Sequence, residues 1–238
     1  MSDIVYVLRT CDKNLRAYGG FQWPESGPVE APDWQPHATC GNGLHGLLWG
    51  AGDASHLATD ADAKWLVVAV VATEIVDLDG KVKFPRGEVV FCGERHYAVA
   101  DIINRGAKPE ACHYSTLTGG YGSTLTGGNG STLTGGDYST LTGGYGSTLT
   151  GGYGSTLTGG HSSTLTGGDR STLTGGDRST LTGGHSSTLT GGYGSTLIFK
   201  WWDDTKNKYR ATVAEVGENG IEKDKPYFVR NGVVLERK

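Results

Sequence analysis

Within Cys40-Gly41-Asn42-Gly43-Leu44-His45-Gly46 a thiol and an imidazole stand five residues apart, with His37 just upstream and His56, Cys92 and His96 further along the chain. These are the residue types of a zinc site or of a thiolate nucleophile. A structural zinc takes four ligands in tetrahedral geometry, and a histidine beside a cysteine activates the thiolate by taking its proton. Cys40 and His45 are the candidates for either chemistry. Against both, no two of the four cysteines (Cys11, Cys40, Cys92 and Cys112) have Cys-x-x-Cys spacing, which carries most zinc-ribbon and redox motifs. The competing reading is a glycine-rich turn with a packed cysteine and a surface histidine. The expectation is no catalytic residue, no metal and no cofactor.

The elements that must position this motif lie in residues 1–114, which read as a small α+β domain. Strands are expected at Ile4–Thr10, Trp65–Ala72, Lys81–Phe84 and Glu88–Cys92, and a helix from Arg95 to about Arg105, ended by Gly106. Residues 24–36, rich in Pro, Glu and Trp, read as a loop. The apolar run Trp65–Ala72 is too short to span a bilayer and suits a buried strand. The opening Met1-Ser2-Asp3-Ile4-Val5-Tyr6-Val7 lacks the charged and apolar regions of a signal peptide. A cytoplasmic location with reduced thiols is therefore expected, and association with a surface or a virion is compatible with it. The net charge of −4 gives no footprint for nucleic acid. Neither nucleic acid nor membrane is an expected partner.

Residues 115–194 are of another kind. They hold 25 of the 40 glycines and only five charged residues, Asp137, Asp169, Asp177, Arg170 and Arg178. Ser-Thr-Leu recurs with a period of eight from Ser115 to Ser195, eleven times without a slip. Ten units continue as Thr-Gly-Gly, followed by two variable residues. A glycine- and serine-rich linker needs no such phase. Threonine favours strands, and Gly-Gly is expected to supply the φ > 0 conformations of a corner. Each unit therefore reads as a short strand and a corner.

Side chains alternate along a strand, so Ser and Leu share one face and the two Thr the other. Leu must face inward, because a continuous exposed leucine stripe is unfavourable. The expected core is Leu117, Leu125, Leu133, Leu141, Leu149, Leu157, Leu165, Leu173, Leu181, Leu189 and Leu197. The neighbouring serine hydroxyls then need partners, along the stack or from backbone. One unit cannot enclose a core. Two units make a flattened 16-residue coil and three a 24-residue triangle; the two-sided coil is preferred, because its facing leucines meet in a thin core.

The outer faces are Thr116, Thr118, Thr124, Thr126, Thr132, Thr134, Thr140, Thr142, Thr148, Thr150, Thr156, Thr158, Thr164, Thr166, Thr172, Thr174, Thr180, Thr182, Thr188 and Thr190. With 16-residue coils one corner stacks Tyr121, Asp137, Tyr153, Asp169 and His185, and the other Asn129, Tyr145, His161, Asp177 and Tyr193. Neither is an unbroken tyrosine ladder, and the Asp-Arg pairs read as solvated turn charges. Residues 199–238 read as a β cap. Phe199, Trp201 and Tyr209 are expected to supply bulk where the leucine core ends, and Asn231-Gly232 a hairpin turn between Tyr227–Arg230 and Val233–Glu236. A solenoid needs capped ends, and residues 1–114 are expected to serve as the other cap.

Tyr-Gly-Ser-Thr-Leu-Thr at 121–126, 145–150 and 153–158 resembles the Gly-Tyr-Gly-Ser-Thr-x-Thr repeats of bacterial ice nucleation proteins. Similar repeats occur in uncharacterised bacterial and phage-encoded proteins. The resemblance implies 16-residue coils with Thr-x-Thr rows, and ice as a ligand. Residues around Cys40–Gly46 loosely resemble uncharacterised domains found ahead of such repeats. Three functions follow. The first is a non-enzymatic, mainly β solenoid scaffold (an interaction or structural protein) whose flat Thr faces pair copies into a homodimer. The second is binding of ice or ordered water. The third is an enzymatic or metal-binding activity of residues 1–114 displayed on the solenoid.

Overall fold

The computed structural model describes residues 3–58 and 60–238. Met1 and Ser2, the first two residues read for a signal peptide, lie outside the described residues, as does Thr59. The chain divides into two compact units, Met1–Tyr114 and Ser115–Lys238.

The first unit contains β1 (Ile4–Cys11), β2 (Gly27–Glu30), β3 (Leu44–Leu48), β4 (Lys64–Val71), β5 (Val76–Asp77), β6 (Val82–Phe84), β7 (Arg86–Gly93) and α1 (Arg95–Asn104). The strands form one sheet in the order β2-β7-β4-β1-β3-β6-β5, and every pairing is antiparallel. β4 is apolar from Trp65 onward because both of its faces are covered. Leu66, Val68 and Val70 pack with Val7, Trp23 and Phe84 on one side. Trp65 and Val67 pack with Leu8, Leu47 and the α1 residues Ala98, Val99 and Ile102 on the other. The helix ends at Gly106, whose φ of 116° lies in the region glycine favours.

Residues 24–36, expected as a loop, contain β2, paired to β7 through Gly27 to Glu30. Its Gly-Pro-Val-Glu sequence has one strand former, Val29, and Pro28 is tolerated because β2 is an edge strand that need not donate on its outer side. β3 and β5 likewise went unread. Leu44 and His45 stand on β3, not in a turn.

The second unit is a β-solenoid of two-sided, 16-residue coils. Its repeat strands are β8 (Thr116–Thr118), β9 (Thr124–Gly127), β10 (Thr132–Thr134), β11 (Thr140–Gly143), β12 (Thr148–Gly151), β13 (Thr156–Gly159), β14 (Thr164–Gly167), β15 (Thr172–Gly175), β16 (Thr180–Gly183) and β17 (Thr188–Gly191). They are followed by β18 (Thr196–Asp203), β19 (Lys208–Glu215), β20 (Pro226–Arg230) and β21 (Val233–Glu236). Even-numbered strands stack in parallel as one sheet and odd-numbered strands as the other, each repeat residue pairing with the residue sixteen positions on. Leu133 to Leu197 are fully buried in one file between the sheets, and Leu117 and Leu125 are partly buried at its start. Serines bond along the stack, as between Ser115 Oγ and Ser131 Oγ at 2.9 Å, or donate to backbone, as from Ser179 Oγ to Gly160 O at 3.2 Å.

The reason for Gly-Gly differs from the one expected. None of the paired glycines has positive φ; the left-handed residue is the second variable position, which is Gly122, Gly130, Tyr138, Gly146, Gly154, Ser162, Arg170, Arg178, Ser186 or Gly194. The paired glycines are required by contact. A Cβ on Gly159 would lie 2.7 Å from Leu165 Cδ1 and Ser163 Cβ, and a Cβ on Gly168 2.8 Å from Gly152 C and Tyr153 N.

The repeat ends where the cap switches to antiparallel pairing: β18 with β19, and β17 with β20. The β20–β21 hairpin turns at Asn231-Gly232. Phe199 closes the leucine core with Val216 and Tyr227. Trp201 is half-buried, and Tyr209, expected there too, is exposed and meets Trp202 edge-on with ring centres 5.1 Å apart. The strand alternation carries Tyr209 to the outer face of β19.

Candidate functional site

The two threonine faces are not equivalent. On the even-numbered sheet, Thr116/Thr118, Thr132/Thr134, Thr148/Thr150 and Thr164/Thr166 are exposed, as is Thr180, and Thr182 and Thr196 are half-buried. On the odd-numbered sheet, Thr124/Thr126, Thr140/Thr142, Thr156/Thr158 and Thr172/Thr174 are exposed. Thr188 is buried and Thr190 half-buried, so these two do not belong to an open face. The cap covers them: Arg237 Nη1 donates to Thr188 Oγ1 at 2.7 Å, and Thr190 pairs with Pro226. The flatness of both faces follows from in-register parallel stacking, which places identical side chains about 4.8 Å apart between coils and about 6.7 Å apart along a strand.

The corners hold the coils in register. Asn129 Oδ1 accepts the backbone N–H of Tyr145 at 3.0 Å, Asp137 that of Tyr153 at 2.8 Å, Asp169 that of His185 at 2.7 Å and Asp177 that of Tyr193 at 2.8 Å. The aspartates read as solvated turn charges are thus acceptors between coils. Where Asp takes the first variable position, a large residue takes the second and continues the aromatic row. Tyr138 stands between Tyr121 and Tyr153 with centroids 5.4 Å from each, and the Arg170 guanidinium lies 5.7 Å over Tyr153. The expected break at Asp137 is filled. On the other corner Tyr145 and His161 stack at 5.4 Å. Alternation of Asp-bulky with Tyr-Gly or His-Ser pairs was the available signal. Asp137→Ala should destabilise the solenoid by about 1 kcal/mol by leaving the Tyr153 N–H without its acceptor, measurable as faster amide exchange at Tyr153.

In the first unit Cys40 and His45 line one cavity of about 840 Å³ together with Arg9, Phe21, Trp23 and Lys81. The packed-cysteine, surface-histidine reading is inverted: Cys40 is exposed and His45 half-buried. The partner of Cys40 Sγ is Lys81 Nζ, at 3.2 Å. His45 Nε2 accepts the Gly41 N–H at 3.4 Å. Burial, then the charges of Lys81, Arg9 and Lys83, hold the His45 imidazole down at about 4, so it is neutral at neutral pH. Three surrounding cations oppose a divalent metal, and among the described residues no three His, Cys, Asp or Glu side chains gather as a metal-holding group. Burial pushes the Cys11 and Cys112 thiols up to about 11, away from reactivity. The cationic surroundings of His45 were not legible, because residues 9, 45, 81 and 83 meet only through the β1-β3-β6 order.

Residues 5–104 match a family described as a domain of unknown function, DUF7666. The repeat-bearing chain also has relatives among curated proteins. The repeat is similar to that of bacterial ice nucleation proteins. The ice nucleation protein of Pseudomonas syringae pv. syringae is 47% identical over 118 residues, 49% of this chain and 10% of its own length. That of Xanthomonas campestris pv. translucens is 44% identical over 97 residues, 40% of this chain and 6% of its own. Ice nucleation protein InaU of Pantoea ananas is 43% identical over 112 residues, 46% of this chain and 11% of its own. The chain therefore spans about a tenth of the length of these ice nucleation proteins. No solved structure matches. No helix among the described residues is long and apolar enough to cross a membrane.

Proposed function

We propose that this protein is a non-enzymatic β-solenoid scaffold whose threonine array binds ice through ordered water. The supporting observation is the even-numbered sheet, where Thr-x-Thr pairs repeat from Thr116 to Thr182 with no charged residue among them. Each threonine offers a methyl group, which water must surround, beside a hydroxyl, which anchors it. The backbone ladder fixes both in a lattice that costs little ordering on binding. The similarity to proteins named for ice nucleation favours ice over other repetitive ligands. Five rows extend only about 20 Å, so the expected activity is attachment to existing ice and not efficient nucleation. Ice grown slowly from a dilute solution should take up the full chain. Exclusion from the crystal to the same degree as an inert protein would remove the proposal.

The same faces suit pairing of two copies into a homodimer, a reading favoured by the exposed Tyr121 and Tyr138 beside uncharged threonine rows. A strict monomer in sedimentation at high concentration would exclude it. The four unpaired cysteines support a reducing, cytoplasmic setting.

A further inference from the structure

We propose that the cavity of the first unit is a binding site for a phosphate group, carried by a small molecule that enters against its apolar wall. The cavity, about 840 Å³, is of the size that holds small ligands. Its charge is one-sided. Arg9 on β1 and Lys81 beside β6 line it, and Lys83 on β6 stands close enough to act on His45.

None of these three cations is paired with a carboxylate among the described residues. The ion pairs of this unit, including Arg86–Glu74 and Arg105–Asp101, lie elsewhere. The carboxylate lining the cavity, Asp33, accepts from Asn42 Nδ2 at 3.3 Å.

Each cation has a fixed place. Lys83 is fully buried; its Nζ donates to Thr39 O at 2.9 Å and Gly41 O at 3.3 Å, pinning the Cys40 loop to the sheet. Arg9 lies 5.6 Å over the Trp23 ring and donates from Nη1 to His45 O at 3.2 Å, while its Nε is buried with no hydrogen-bond partner. A buried, unpartnered guanidinium N–H is costly in a folded protein. Clustered cations without an anion repel one another in low dielectric, and this cluster arises in a chain whose net charge is −4. An oxyanion with several acceptors neutralises this cluster from the cavity side, where Arg9 and Lys81 line the wall, and Arg and Lys together suit phosphate. Phe21, Leu44 and Leu57 supply the apolar wall for the remainder of the molecule.

The test is calorimetric titration of the full chain at low salt with inorganic phosphate and, separately, with adenosine monophosphate. Saturable binding at one site is expected for at least one of them, and tighter binding of the nucleotide would assign an organic phosphate. Lys81→Gln, at a half-exposed position, should fold normally and weaken binding about tenfold, the loss expected for one charged hydrogen bond. In the unsubstituted protein, the His45 imidazole should titrate higher with the site filled than with it empty, because a bound anion favours its proton. No binding of either probe would overturn the proposal. So would binding that neither responds to Lys81→Gln nor moves the His45 titration.

Discussion

Gly168→Val should open the solenoid at its middle, destabilising it by about 3 kcal/mol or more, the upper end of overpacking costs. The coils are held together at this corner by backbone bonds from Gly168 N to Gly151 O at 3.1 Å and to Gly152 O at 3.2 Å. A Cβ at 168 would stand 2.8 Å from Gly152 C and Tyr153 N, which are backbone atoms and cannot rotate aside. Valine adds two methyl groups to that clash, so the stack must separate. Gly146→Ala makes the informative contrast. Its φ is 65° and an added Cβ meets nothing within 4 Å. Its cost is the left-handed strain alone, about 1–2 kcal/mol, and Tyr138, Ser162 and Arg170 already occupy that conformation at equivalent positions. Amide exchange at Leu165 and Leu173 should accelerate far more in Gly168→Val than in Gly146→Ala. Equal acceleration would mean that the paired glycines serve backbone conformation after all.

The second large effect is on ice. Thr148→Lys with Thr150→Lys places two charges at the centre of the even-numbered face, where both side chains are exposed. Stability should change by less than about 0.5 kcal/mol, as for other surface substitutions. The lattice should be interrupted between Thr132/Thr134 and Thr164/Thr166, leaving two rows on either side. Uptake into growing ice should fall nearly to that of an inert protein. Thr156→Lys with Thr158→Lys, on the odd-numbered face, should reduce it less, because the cap already shortens that face at Thr188 and Thr190. A larger loss from the odd-numbered pair would reverse the assignment of faces.

The solenoid was legible because its period is a physical constraint repeated many times. A leucine at every eighth position admits one inward face, and facing leucines lead to the 16-residue coil found in the pairing of Leu133 with Leu149. The details that escaped depend on contacts between successive coils. Whether glycine is needed for φ or for space cannot be told from its identity: Gly146 has a φ of 65° and open space around it, and Gly159 has no positive φ but no room for a Cβ. Asp137 becomes an acceptor for Tyr153 only when the coil brings them together sixteen residues apart. In the first unit the long apolar β4 and the glycine-ended α1 could be read locally. β2 could not, since its strand character comes from pairing with β7 and not from its own residues. The cavity was the least legible part. Lys83, expected on an ordinary strand, is fully buried beneath a loop forty residues earlier in the chain.

Freezing-point hysteresis, read with the shape of single ice crystals, tests the central claim most directly. The full chain should give a concentration-dependent hysteresis and faceted crystals, and the Thr148→Lys/Thr150→Lys variant, folded to the same degree, should give neither. Hysteresis undiminished in that variant, or absent from the full chain at every concentration, would contradict the account of the threonine array as an ice-binding surface.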